Sequence, residues 1–162
     1  METIIIFGAQ YLYLLIVLVA LAYIWRQPRE QRWKIILCAA IALPLTYIAA
    51  KILSQLYYDP RPFVVGQFAP LLPHDADNGF PSDHTLLGSA VAAVIFLFNR
   101  KIGNTLFIIA FLVGASRVFA GIHHFTDIFG SMAIAAATTY VVCEYIFPKA
   151  WERFSQKYFD AL

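Results

Sequence analysis

Charge is scarce in this sequence: 14% of its 162 residues are Asp, Glu, Lys or Arg, while 60% are hydrophobic. That balance excludes an ordinary water-soluble domain, in which about a quarter of residues are charged. Cysteine is nearly absent. Cys38 and Cys143 both fall inside apolar runs, which argues against a disulfide framework or a metal-binding role and for two small buried hydrophobes. The chain has no internal repeat, no low-complexity tract and no linker that would divide it. A single domain over residues 1–162 is expected. No basic residue precedes the first apolar run; only Glu2 does, and Arg26, Arg29, Arg32 and Lys34 follow it. A signal peptide carries its positive charge ahead of its apolar stretch. Although Ala20-Leu21-Ala22 resembles a cleavage site, the run reads as a retained spanning helix.

Long apolar runs are abundant. A hydrocarbon layer of about 30 Å is crossed by roughly 20 apolar helical residues. The first run covers about Ile4 to Trp25 and the second about Ile35 to Tyr58, with Pro44 and Lys51 inside it. A polar stretch, Asp59 to Gly79, follows and is rich in Pro, Asp and His. A third helix is expected from Pro81-Ser82 to Phe98, since proline suits a first helical turn. A turn at Asn99-Arg100-Lys101 leads to a fourth helix, Ile102 to Phe119. A fifth runs from about His123 to Phe147, and an amphipathic tail, Lys149 to Leu162, closes the chain. The fold class is therefore all-α: a polytopic membrane helix bundle of about five spans.

The net charge of +2 says little, but its placement says more. Five spans put segments 26–34, 99–101 and 148–162 on one side, and these hold Arg26, Arg29, Arg32, Lys34, Arg100, Lys101, Lys149, Arg153 and Lys157, nine of the 12 Lys and Arg residues. The positive-inside rule makes that side cytoplasmic, with the N-terminus outside and the C-terminus inside. Lys51, Arg61 and Arg117 fall at the other side, with His74, His84, His123 and His124 and with Asp59, Asp75, Asp77, Asp83 and Asp127. The unusual chemistry gathers at the outer face.

Within that set, His123 and Asp127 stand four residues apart at the start of a helix, a spacing that shares one face. A carboxylate there fixes the imidazole tautomer and frees the other nitrogen as a nucleophile or base; a structural His–Asp pair fits the spacing equally. Ser116-Arg117 ends the preceding helix, and a guanidinium fork suits phosphate oxygens, as it also suits snorkelling to headgroups. Pro81-Ser82-Asp83-His84 opens a helix. A helix N-terminus attracts anions, Ser82 can cap or bind phosphate, and His84 can act as a general acid or stand exposed. Lys51 lies within a span, where a charge is costly and normally faces a polar cavity. It either snorkels or points into a phosphate site, and Arg61-Pro62 just beyond it favours the site.

Together these blocks resemble the type 2 phosphatidic acid phosphatase (PAP2) superfamily. That signature is a lysine followed by Arg-Pro, then Pro-Ser-x-His, then Ser-Arg-x5-His-x3-Asp. Here it reads Lys51, Arg61-Pro62, Pro81-Ser82-Asp83-His84, Ser116-Arg117, His123 and Asp127. Two features depart from the usual pattern. Nine residues separate Lys51 from Arg61 where six are usual, and Asp83 replaces a glycine. The Asp83 variant, with His74-Asp75-Ala76-Asp77-Asn78-Gly79-Phe80 before it, is similar to bacterial undecaprenyl pyrophosphate phosphatases of the bacitracin-resistance type. The sixth span common in the superfamily is not expected here.

The resemblance implies a PAP2/vanadium-haloperoxidase-like helical core and a metal-independent lipid phosphatase. It implies catalysis by His123, His84 and Asp127 through a phosphohistidine. The implied substrate-binding residues are Lys51, Arg61, Pro62, Ser82, Asp83, Ser116 and Arg117. The expected reaction converts undecaprenyl diphosphate to the monophosphate, at the outer face of a bacterial inner membrane. Phosphatidylglycerol phosphate and phosphatidate are alternative substrates. A non-catalytic ion-coupled transporter is a reading of another class, and a metalloenzyme a third, which the absence of familiar metal-ligand spacings and the outer arginines oppose. Expected partners are the lipid phosphate or pyrophosphate and membrane lipids, not nucleic acid; no cofactor is expected.

Overall fold

The computed structural model describes residues 1–158, so the last four residues of the expected tail lie outside it. Its elements are α1 (Glu2–Trp25), α2 (Arg29–Leu56), the short α3 (Pro62–Gly66), α4 (Asp83–Phe98), α5 (Arg100–Phe119), α6 (Phe125–Val141), a π-helical stretch (Val142–Ile146) and α7 (Phe147–Tyr158). The described residues contain no strand, only an isolated bridge between Pro60 and Asn78. The all-α expectation holds. Four helical segments are long and apolar enough to cross a membrane: α1, α2, α5 and the joined run Phe125–Lys157.

The fifth apolar helix, α4, has 16 residues and rises only about 24 Å at 1.5 Å per residue. It packs against α1, α2, α5 and α6. Gly88, Ser89, Ala90, Ala92 and Ala93 are all buried on it, and small residues let neighbouring helix backbones approach closely inside a membrane. The outer helices turn large side chains outward instead; Ile4, Phe7, Leu18, Leu21 and Trp25 of α1 are exposed, as a lipid-facing surface requires.

The second run, expected from Ile35 to Tyr58, is helical from Arg29 to Leu56, and the starts of the three later helices shift too. The third helix begins at Asp83, not Pro81: Ser82 is its N-cap and Pro81 precedes it. The fourth begins at Arg100, because Asn99 caps it by accepting a hydrogen bond from the Ile102 N–H at 3.1 Å. The fifth begins at Phe125, with His124 as its N-cap. Pro44 is accommodated within a continuous α2. Cys38 and Cys143 are free thiols, their sulfurs 2.9 Å apart, and they join α2 to the π-helical stretch.

The basic segments do share one end of the bundle. Arg32 Nη2 donates to Trp25 O at 2.8 Å across the α1–α2 turn, and Lys34 Nζ pairs with Glu30 at 2.7 Å and lies over the Trp151 ring of α7. Trp33 packs against Phe154, closing α7 onto the same end.

Candidate active site

At the opposite end, the chain between α2 and α4 must fold back over the C-terminus of α2. Asn78 makes it do so. Its Nδ2 donates to Ser54 O at 2.8 Å and Tyr57 O at 2.9 Å, and its Oδ1 accepts from the backbone N–H of Asp59 at 2.9 Å and of Phe80 at 3.0 Å. A carboxamide has two donor hydrogens and two acceptor lone pairs, and all are used. The Gly79 N–H donates to Asp59 O at 2.8 Å beside it. This staple brings Arg61 back to the helix it has just left, which is how a nine-residue gap still closes on Lys51. Pro62 occupies the first turn of α3, and Arg61 is its N-cap.

The result is a cavity of about 320 Å³ lined by Lys51, Arg61, His74, His84, Arg117 and His123. Asp77, Asn78 and Asp83 border it too. Arg61 is buried and fully oriented: Nε donates to Asp77 Oδ1 at 2.7 Å, Nη1 to Ile122 O at 2.8 Å, and Nη1 also lies 3.5 Å from His123 Nε2. Arg117, likewise buried, donates from Nη1 to Ala9 O of α1 at 3.1 Å. Its buried Nε finds no partner among the described residues. A buried cation that borders the cavity and keeps an unpaired donor suits an anion. Lys51 Nζ reaches the cavity from α2, 3.9 Å from Asp83 Oδ1 and over the Tyr47 ring.

His123 Nδ1 donates to Asp127 Oδ2 at 3.1 Å. The same oxygen accepts the His124 N–H at 2.9 Å. The reason for this pairing differs from the expected one. His123 precedes the helix, so the two residues share no helical face. Asp127 sits in the first turn, and its carboxylate folds back to the loop, as acidic residues do at helix starts. Gly121, at φ +80°, makes the left-handed turn that delivers His123 here from α5. Arg61 Nη1, which can only donate, lies 3.5 Å from Nε2, so Nε2 is assigned the lone pair and Nδ1 the ring proton that faces Asp127. Burial, with the charges of Arg117 and Arg61, holds His123 below the ordinary histidine value even against the opposing pull of Asp127. His74, its ring centroid 6.3 Å from that of His123, is pushed down by burial and then by the same two arginines. Burial works to raise the Asp77 carboxyl, but the Arg61 hydrogen bond and charge prevail and hold it below its usual range. His84 opens toward the cavity from α4, its ring 4.9 Å from Tyr13 of α1 in an edge-to-face contact.

Six of the ten expected site residues therefore border one cavity: Lys51, Arg61, Asp83, His84, Arg117 and His123. Asp127 is fully buried behind His123. Three stand apart. Ser82 is fully buried, with Oγ accepting from Thr85 Oγ1 at 3.1 Å. Ser116 turns the other way: Oγ donates to Leu112 O at 2.9 Å and lies against Gly8 of α1. Pro62 acts through the backbone, by starting α3. Sequence reasoning missed His74, Asp77, Asn78 and Tyr13 as site-building residues. The block His74–Phe80 was their only signal, and nothing in the pattern connected Tyr13 to His84.

One group among the described residues has the makings of a cation site: ligand atoms of Asp59, His124 and Asp127 lie within 4.8 Å of one another. His124 Nδ1 is 3.3 Å from Asp59 Oδ1 and Asp59 Oδ2 accepts from Thr126, while His124 Nδ1 and Asp127 Oδ1 make no hydrogen bond among the described residues.

Residues 33–151 match the PAP2 superfamily. The chain is 36% identical over 135 residues to the undecaprenyl-diphosphatase BcrC of Bacillus subtilis (strain 168), covering 83% of this chain and 69% of that protein. It is 32% identical over 129 residues to the bacitracin transport permease protein BcrC of Bacillus licheniformis, covering 79% and 63%. The chain thus spans about two thirds of the length of these relatives. Among solved structures, LpxE of Aquifex aeolicus superposes with a TM-score of 0.68 at 24% identity, over 88% of this chain and 87% of that one, and shares the fold.

Proposed function

The chain belongs to the PAP2 superfamily, and from that premise we propose that it is a single-domain membrane lipid phosphatase that hydrolyses undecaprenyl diphosphate to undecaprenyl phosphate. One observation carries the reading. Three cations, Lys51, Arg61 and Arg117, and three imidazoles, His74, His84 and His123, border one cavity at the end of a bundle of apolar helices. An Asp127-backed imidazole facing a cationic cavity suits attack on phosphorus.

In the proposed reaction His123 Nε2 attacks the terminal phosphorus and the bond to the bridging oxygen breaks. His84 gives that oxygen its proton. Asp127 keeps the proton on His123 Nδ1 and stabilises the charge that develops on the ring. His84 then takes a proton from water, whose oxygen displaces His123 and releases inorganic phosphate. Lys51, Arg61 and Arg117 hold the phosphoryl oxygens throughout, so catalysis is mainly positioning and electrostatic stabilisation. The cavity opens on the outer face of a bacterial plasma membrane in this reading, with the basic loops inside.

Phosphate release by purified protein in detergent, across undecaprenyl diphosphate, phosphatidylglycerol phosphate and phosphatidate and repeated in excess chelator, tests the proposal. Preferential release from the diphosphate, undiminished by chelator, is expected. No release from any lipid would return the chain to the transport reading.

A further inference from the structure

The phosphate cavity is the uppermost of three that follow one another down the bundle. A second cavity, of about 310 Å³, lies between α2 and α4 and shares Asp83 with the first. A third, of about 180 Å³, lies among α1, α2 and α4 and shares Leu43 with the second. Their walls pair down the two antiparallel helices: Lys51 with Asp83 at the top, Leu43 with Ala90 midway, Ala39 with Ile95 below. From residue 83 to residue 95 of α4 the path descends about 18 Å at 1.5 Å per residue, more than half of a hydrocarbon layer of about 30 Å.

Polarity falls along this path. The first cavity is bordered by charged groups. The second keeps Thr46, Tyr47 and Asp83 among aliphatic side chains. The third has only aliphatic walls. A charged top, a mixed middle and an apolar bottom describe an amphiphile with its head at His123 and its tail running along α4. The path is also open to the lipid side, since Leu87 and Leu21 on its walls are exposed, so a chain can slide in laterally. Small residues make the room: Ala90 in the second cavity, Ala20 and Ala39 in the third.

We infer that these two lower cavities form one furrow that binds the substrate's hydrocarbon tail as a single extended chain, so that the enzyme selects for tail length. The inference rests on the lipid diphosphatase reading above and goes beyond it, because a phosphate site alone would treat all tails alike. A tail that stops in the second cavity leaves the third unfilled and forgoes its apolar contacts.

The test is a tail-length series of diphosphates, geranyl, farnesyl and undecaprenyl, in detergent. For the wild type kcat/KM should rise along the series by about 10-fold or more. Ala39→Phe, which fills the third cavity, should lower kcat/KM for undecaprenyl diphosphate by about 10-fold and leave geranyl diphosphate within about twofold. Leu21→Trp, at an exposed wall of the same cavity, is the second variant should the first not fold. Leu87→Trp, higher on the path, should reduce farnesyl diphosphate as well. Equal wild-type rates on all three tails, or an equal loss on all three in the variants, would overturn the furrow and leave the phosphatase reading standing. No hydrolysis of any of the three by the wild type would sink both.

Discussion

Asp127 Oδ2 lies 3.1 Å from His123 Nδ1, and the Asp127 carboxylate has no exposed surface. The imidazole is thus held by a group that solvent and substrate do not reach, while its other nitrogen borders the cavity beside Arg61. His123→Ala should abolish turnover. Asp127→Asn should leave the protein folded and lower kcat by about 10²- to 10⁴-fold, the usual worth of an oriented acid–base pair. Acid-labile phosphate on the protein after a rapid quench should vanish in His123→Ala; label that persists there would assign the nucleophile to another residue.

The pH profile carries a second prediction. In the proposed reaction His123 attacks as the neutral ring, and burial with two arginines keeps it below its ordinary value of 6.5. Protonation therefore shuts the enzyme down only below that value, and the acidic limb of kcat/KM should lie on the acid side of pH 6.5. Removing a nearby positive charge favours the protonated ring, so in Arg61→Gln the limb should move up in pH while the rate falls. A limb that moves down would separate His123 from the titration.

Lys51 reaches the cavity but pairs only loosely with Asp83, at 3.9 Å. Lys51→Met should lower kcat/KM by about 10- to 100-fold, the worth of one charge-assisted hydrogen bond in the transition state. The protein should fold at least as well, since a costly charge within a span is gone. Efficiency near the wild-type level, beside a crippled Arg61→Met, would leave the two arginines as the whole phosphate clamp.

Asn78→Ala removes a side chain that makes four hydrogen bonds to the backbone. Some of those groups are left without partners, at about 1–3 kcal/mol. Thermal unfolding in detergent should shift down, and activity should fall further than stability alone explains, because Arg61 loses its tether to α2. Asn78→Asp, which keeps the acceptor oxygen, should restore part of both.

Sidedness can be read with thiol labels. Cysteine introduced for exposed Ala76 should react with an impermeant reagent in intact cells, and cysteine for Gln31 only after permeabilisation. The reverse pattern would put the cavity on the cytoplasmic face.

The helical, membrane-embedded nature of the chain was legible in the sequence, because the length and polarity of an apolar run suffice to identify a spanning helix. The blocks Arg61-Pro62, Pro81–His84 and Ser116–Asp127 were legible too, since their spacing is local and survives in the linear sequence. Helix starts were less so: whether Pro81, Ser82 or Asp83 opens α4 depends on where the backbone turns, and several residues there favour a start. Side-chain direction was beyond the sequence. Ser116 and Arg117 are neighbours, yet one faces Gly8 and the other the cavity, because successive residues on a helix point about 100° apart. Tyr13 against His84, Ala9 O against Arg117 and Asn78 across the end of α2 join residues far apart in the chain. Such pairs leave no periodic trace, since each depends on how whole helices dock. Sequence alone pointed to the chemistry proposed for this protein and to the end of the bundle that gathers its polar groups; the packing of α1, α2 and α4 decided which side chains meet and where cavities are left between the helices.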